Sequence, residues 1–235
     1  MAAKRLPATD EERVKVLQAI MDQEELLPKE ETILPVRTLH EMRNLTLTFE
    51  GSSFCFKQAM DDENRADKQY IDLFKNAQLY ISHFIQVLNL CIIRNEIKPS
   101  SLLHYGLEET DGFTLPDLSS EETLLEWGDK VIKGETERTY NGGAPIYNPA
   151  IAKVKVHYDL FKESLYSLSI YRKNTIRCEA NLSELRDKVD QIIWDVWCQI
   201  EDRFWDLPDD ARKKKFKDYR INFYYQAGEQ LSVFG

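Results

Sequence analysis

Residues 151–200 read IAKVKVHYDLFKESLYSLSIYRKNTIRCEANLSELRDKVDQIIWDVWCQI. Neither Gly nor Pro interrupts the chain from Ala150 to Leu207. Stepping three and four residues in alternation gives Ile151, Val154, Tyr158, Phe161, Leu165 and Leu168. The ladder turns polar at Arg172, Thr175 and Glu179, then resumes at Leu182, Val189, Ile193, Val196 and Ile200. That spacing marks a helix that buries one stripe along its whole length. A second stretch behaves alike. Ser52 to Lys98 lacks Gly and Pro, and only Gly51 separates it from Val36. Its ladder runs Leu39, Met42, Phe49, Phe56, Met60, turns polar at Glu63 and Asp67, and resumes at Tyr70, Phe74, Ala77, Ile81, Phe84, Leu88 and Cys91. The two ladders predict an all-α fold. It is expected to be an elongated antiparallel helical bundle, with two very long coiled-coil-like helices and shorter flanking ones, in a single domain spanning 1–235.

Punctuation residues divide the rest. Thr9 with Glu12 forms a capping box and predicts a short N-terminal helix over 8–26. Pro35 suits the first turn of the long helix over 36–97, which Pro99 stops. Ser119-Ser120-Glu121-Glu122 is a second capping box and opens a helix over 119–140. Asn141-Gly142-Gly143 supplies left-handed caps at its end. Asn148 reads as a cap, with Pro149 at the first position of the second long helix, 148–206. Pro208 then opens a basic helix and tail over 209–235, in which Tyr219 to Tyr225 reads as extended. The places where the long helices can bend are Gly51, Glu63 and Glu179.

Antiparallel packing brings the ends near Ile97 and Asn148 together. Glu63 and Asp67 then lie near the Glu179–Arg186 turns, where Arg177, Arg186 and Lys188 supply cations. A charged layer midway along the bundle is the expectation.

Composition narrows the function classes. The net charge of −9 opposes general binding to nucleic acid, where phosphate repulsion would have to be overcome. The basic run Arg212-Lys213-Lys214-Lys215-Phe216-Lys217 reads as a solvated helix face. No stretch approaches the ~20 apolar residues that span a bilayer, and the start lacks the apolar core of a signal peptide. Cys55, Cys91, Cys178 and Cys198 show no CxxC pairing and read as reduced, buried thiols. The expectation is a cytoplasmic protein without nucleic-acid or membrane partners.

Chemistry-bearing patterns are sparse. Inward-facing Glu-x-x-His pairs hold metals in helical bundles. Three residues before His40, His83, His104 and His157 stand Arg37, Tyr80, Ser101 and Val154. No cofactor, metal ligand or catalytic residue is therefore assigned, and nucleophile-elbow and phosphate-loop motifs do not occur. Two places suit a ligand or partner surface. His83, Gln86 and Asn89 stand on an apolar helical stretch, where with Ser82 they could form a buried polar cluster. Tyr140, Tyr147 and Asn148 belong to the Lys133–Ala150 segment, which also offers Glu135, Glu137 and Arg138. Trp194, Trp197 and Trp205 span more than one helix face and read as packing residues.

Several segments resemble one family of uncharacterised helical proteins of Bacteroidetes bacteria. They are Tyr80-Ile81-Ser82-His83-Phe84-Ile85-Gln86-Val87-Leu88-Asn89, Trp127-Gly128, Lys133-Gly134-Glu135, and Gly142 to Pro149 with the following Ile151 to Val156. The likeness covers most of residues 36–225. It implies a bacterial source; that family has no known activity, so it transfers no site residue. The expected function is a non-enzymatic protein-interaction or scaffold bundle, through a protein partner or self-association. The alternative is a bundle that binds a small molecule or lipid-like ligand in a pocket between helices, and an enzyme of unrecognised chemistry stands third.

Overall fold

The computed structural model describes residues 3–28, 30–107, 114–221 and 223–224. These form α1 (Asp10–Leu26), α2 (Val36–Ile93), a 3-10 segment (Pro99–Tyr105), α3 (Glu121–Tyr140), α4 (Ile151–Phe204) and α5 (Asp209–Asp218). Ala3–Lys4 and Phe223–Tyr224 pair as a two-residue antiparallel ladder. The fold is all-α, and α2 and α4 are unbroken at Gly51, Glu63 and Glu179. The chain divides into two compact units, and both long helices contribute to each. The first unit is Met1–Ala59 with Thr175–Gly235, and the second is Met60–Asn174.

In the first unit α1 runs antiparallel to α2. Glu11 meets Lys57, Gln18 meets Glu50 and Glu25 meets Arg43, one heptad apart each time. The same helix runs parallel to α4, where Asp10 meets Arg186 and Arg13 meets Asp190. The core fills the space between them with Leu17, Ile20, Met42, Phe49, Leu182, Val189, Ile193, Val196 and Trp197. Tyr219 and Ile221, just beyond α5, close its end.

The second unit repeats the plan with α3 as third helix. His157 stacks on Tyr80, Phe161 meets Phe74 and Arg172 meets Asp67, so α2 and α4 run antiparallel. The α3 helix begins where Tyr70 donates to Glu121, and its later turns pack on the 3-10 segment that follows α2. Two glycines let α3 approach so closely. A Cβ on Gly128 would lie 2.3 Å from the Tyr158 ring, and one on Gly134 would lie 2.6 Å from the His104 carbonyl oxygen. Nearly every apolar rung of both ladders is buried or half-buried. Met60 is the exception, exposed at 42% beside the polar interruption of its ladder.

Several ends differ from expectation. The α2 helix stops at Ile93, before Pro99 is reached. Asn95 is left-handed (φ 59°), and the Cys91 carbonyl accepts from the amides of both Glu96 and Ile97. Asn tolerates this conformation and so ends helices as Gly does. The second capping box is shifted by one residue, with Ser120 as cap and Thr123 as its partner. The Asn148–Pro149 bond is cis, and α4 starts later, with the Ala150 carbonyl accepting from Lys153 and Val154. The extended tail is present at Phe223–Tyr224, while Asn222, 225–235 and Gly112 lie outside the described residues. Cys55 is exposed and the other three thiols are half-buried, so none is a core residue.

The charged layer forms with a different cation. Glu63 and Asp67 lie 3.9 and 3.1 Å from Arg172. Arg186 instead pairs with Asp10, and Lys188 with Glu184 on its own helix. Side-chain packing sets the register of α2 on α4, and it does not follow from matching the helix ends across a long connection. The Arg172 group is half exposed, so its contribution is small, ~0–1 kcal/mol.

Two glycine substitutions separate intrinsic propensity from packing. Gly51 is exposed and helical, and a Cβ there would meet nothing within 4 Å. Gly51→Ala should raise stability by about 0.5–1 kcal/mol, as read by urea unfolding. Gly128→Ala should lower it instead, because the Tyr158 ring must move. The first unit makes a pH prediction. Bidentate hydrogen bonds from Arg186, 2.8 and 2.7 Å, hold the Asp10 carboxyl below the usual carboxylate range, against the opposing effect of burial. A depressed folded-state pKa stabilises above the unfolded value, and that stability is lost as pH falls through the folded one. Thermal unfolding of Asp10→Asn should therefore show a weaker decline toward acid pH than the parent.

Candidate functional site

Helical spacing distributes the six candidate residues over two places in the second unit. His83 and Gln86 are exposed on the outer side of α2. Asn89 is buried, only 9% exposed, on another side of that helix, and Ser82 donates to the Leu79 carbonyl of its own helix. The expected buried polar cluster therefore does not form. One heptad step puts residues four and three apart on a common stripe, and Asn89 has turned inward from the side that His83 and Gln86 share.

His83 and Gln86 stand in different company. Leu79, His83, Gln86, Leu90 and Ile93 follow one another at spacings of four, three, four and three. All five are exposed, Leu79 at 60%, Leu90 at 46% and Ile93 at 59%. This is a second heptad stripe on α2, separate from the one that packs on α4. The buried ladder accounts for the helix by itself and masks the apolar members of this row. Apolar residues at 3-4 spacing outside that ladder are the row's signal in the sequence.

Tyr140, Tyr147 and Asn148 are exposed around the connection from α3 to α4, Tyr140 at 90% and Tyr147 at 81%. Of the charged groups expected as their surface companions, Glu137 is exposed, but the other two are buried. Glu135 is fully buried and Arg138 is 5% exposed. Arg138 Nε donates to Glu135 Oε2 and to the Tyr105 hydroxyl, both at 2.9 Å. Its Nη2 donates to Glu135 Oε1 at 2.9 Å and to the Ala144 carbonyl at 2.8 Å. Tyr105 donates to Glu135, and the Ile146 amide donates to Glu135 Oε1 at 2.9 Å. Burial and the Glu135 hydrogen bond push the Tyr105 hydroxyl pKa well up. Burial works against the Arg138 charge, yet its bonds to Tyr105 and Glu135 keep its pKa above the ordinary value.

The chemistry of this cluster is that of a clamp. Both carboxylate oxygens are occupied by donors from Arg138, Tyr105 and the Ile146 amide, and Arg138 also holds the Ala144 carbonyl. The network ties the 144–146 backbone to α3 and to the 3-10 segment. Its sequence signal is Gly134-Glu135 followed three residues later by Arg138. An i,i+3 pair of opposite charge beside a helical Gly marks close backbone approach as readily as a solvated face.

No protein-family model, curated protein or solved structure matches the chain.

Among the described residues no group of three His, Cys, Asp or Glu side chains is placed to hold a metal ion. No described helix is long and apolar enough to cross a membrane. The basic run lies on α5, none of whose residues is buried. Of the three tryptophans on or after α4, Trp197 is core, Trp194 is 40% exposed and Trp205 is 69% exposed. In the first unit a cleft of about 700 Å³ lies between α1 and α5, with Val16, Ala19, Lys213, Phe216 and Ile221 in its walls.

The clamp carries a stability prediction. Removing one member of a buried, hydrogen-bonded ion pair leaves the other charge unpaired, at a cost of ~3–5 kcal/mol. Glu135→Ala should reduce unfolding free energy by about that amount in urea. Tyr105→Phe should cost about 1–3 kcal/mol, since it removes one hydroxyl from the network.

Proposed function

We propose that the chain is a non-enzymatic helical bundle that acts by presenting a helix face to a protein partner or to a second copy of itself. The observation that supports this reading is the exposed stripe Leu79, His83, Gln86, Leu90 and Ile93. Apolar groups at heptad spacing are what a partner helix buries. Large apolar side chains scattered singly on a surface need no explanation, whereas a regular row of them does. The polar pair in the middle of the row suits recognition: one polar residue in a helical seam fixes register and partner at some cost in stability. The clamp on the α3–α4 connection fits the same reading. It holds Tyr140 and Tyr147 outward at a backbone that is pinned on both sides, and rigid aromatic groups make good contact points.

The buried carboxylates favour a scaffold over a catalyst. Glu24 accepts the amides of Ile33 and Leu34 at 2.9 Å each, and the Tyr219 hydroxyl at 2.9 Å. Like Glu135, it is committed to backbone and tyrosine donors.

Leu79→Lys with Leu90→Lys tests the proposal. Both positions are exposed, so stability should change by no more than ~0.5 kcal/mol each. Sedimentation velocity of the full chain reads self-association. Cross-linking mass spectrometry in the host lysate reads a foreign partner. Wild-type contacts should map to Leu79–Ile93 and be lost in the double variant, with the helical circular-dichroism spectrum unchanged. A monomeric wild-type chain with no cross-links to this row would overturn the reading.

A further inference from the structure

Lysine is among the least buried residue types, and its ammonium normally stays in water. Lys4 departs from this. Its side chain is 10% exposed, and its Nζ sits 4.5 Å from the centre of the Trp194 ring. Two acceptors hold it there: Glu201 Oε2 at 2.5 Å and Cys198 Sγ at 3.2 Å. Trp194, Cys198 and Glu201 all lie on one stretch of α4, at helical spacings of four and three. Cys198 is half-buried. Lys4 belongs to the short strand paired with Phe223–Tyr224, so its own backbone is held as well.

We propose that Lys4 and Cys198 form a peroxide-dependent covalent cross-link, a sulfenamide between Nζ and Sγ, that fastens the N-terminal strand to α4. The oxidant is hydrogen peroxide. In the first step the Cys198 sulfur attacks the peroxide. An S–O bond forms, the O–O bond breaks, and the departing hydroxide leaves as water with the thiol proton. The product is a sulfenic acid, which condenses with neighbouring nitrogen or sulfur nucleophiles. In the second step Glu201 accepts a proton from the Lys4 ammonium, and the freed Nζ lone pair attacks the sulfur. An S–N bond forms, the S–O bond breaks, and the hydroxyl takes a second proton from the attacking nitrogen and leaves as a second water. Overall, sulfur loses two electrons, the peroxide becomes two waters, and one ammonium proton passes through Glu201 to solvent.

Geometry selects this partner over the other thiols. Nζ already lies at contact distance from Sγ, so the condensation needs no movement of the backbone. The linkage closes a loop between residues 194 apart in sequence, which constrains the unfolded chain.

The test uses the full chain with Cys55, Cys91 and Cys178 changed to Ser, so that disulfides cannot form between copies of those thiols and Cys198. Hydrogen peroxide treatment should remove two hydrogens, about 2 Da, from the intact mass. Tryptic peptides containing Lys4 and Cys198 should be found joined, with no cleavage after Lys4, and dithiothreitol should separate them. The linked protein should melt at a higher temperature, reversibly with reductant. Lys4→Arg keeps a cation for Glu201 but cannot condense in this way. In that variant dimedone should trap the sulfenic acid on Cys198, and no joined peptide should appear. Dimedone labelling of Cys198 without a joined peptide in the Lys4-containing protein would overturn the proposal. So would joined peptides that persist unchanged in Lys4→Arg, or a Cys198 that peroxide leaves untouched.

Discussion

A helix with an apolar ladder along more than fifty residues cannot be stable alone in water. Each of the two long helices here satisfies the other. In each unit α2 and α4 lie antiparallel and bury their rungs against one another, and a shorter helix closes one side of the pair. Burial of a Leu, Ile, Val, Phe or Met side chain stabilises by about 1.5–3 kcal/mol. The rungs supply this many times over, and they offset the ordering entropy of two long helices. The third helices are fixed differently. The α1 helix is registered by charge and amide pairs repeating every heptad, and α3 is registered by close approach at Gly128 and Gly134.

Buried polar groups then serve the connections. Long helices leave the chain with few turns, and those turns must leave a helix end and return within a few residues. Glu24 takes two amides of the chain that enters α2. Glu135 and Arg138 take one amide and one carbonyl of the chain that enters α4. Both devices use a charged side chain from the preceding helix to satisfy backbone groups that the connection would otherwise bury unpaired. Each also recruits a tyrosine hydroxyl, from Tyr219 and from Tyr105. The two units thus solve the same physical problem with the same chemistry.

The ladder residues make the fold class legible because periodicity reports burial directly. Capping residues do the same for α1 and α3. Neither signal sets the register of α2 on α4. The number of residues between Ile93 and Ile151 says nothing about where Arg172 lands, and steric fit among Phe74, Phe161 and Tyr70 decides it. The helix ends differ for local reasons. Pro99 has the character of a terminator, but Asn95 turns left-handed first. The α3–α4 segment is legible as important and not as buried: a Glu and an Arg three apart look the same in sequence whether water or a backbone loop lies above them. His83 and Gln86 stand out in the sequence for a reason the structure reverses. Their apolar surroundings suggest burial, while the neighbours that share their stripe, Leu79, Leu90 and Ile93, lie in water.

That stripe is a part of α2 that intrachain packing does not explain. The inner ladder already stabilises the helix, and exposed positions on a helix of this length are free to be Lys, Glu or Gln, which favour the helix equally well. Leu79, Leu90 and Ile93 therefore add apolar surface with no gain to the isolated fold. On the proposed reading the gain comes on association. Two polar side chains between three apolar ones would then discriminate among partner helices, because a purely apolar partner leaves His83 and Gln86 buried without hydrogen bonds, at about 1–3 kcal/mol for each group left unpaired. A partner offering polar groups opposite them avoids that cost. The same residues that make the row a poor general hydrophobic surface would make it a selective one.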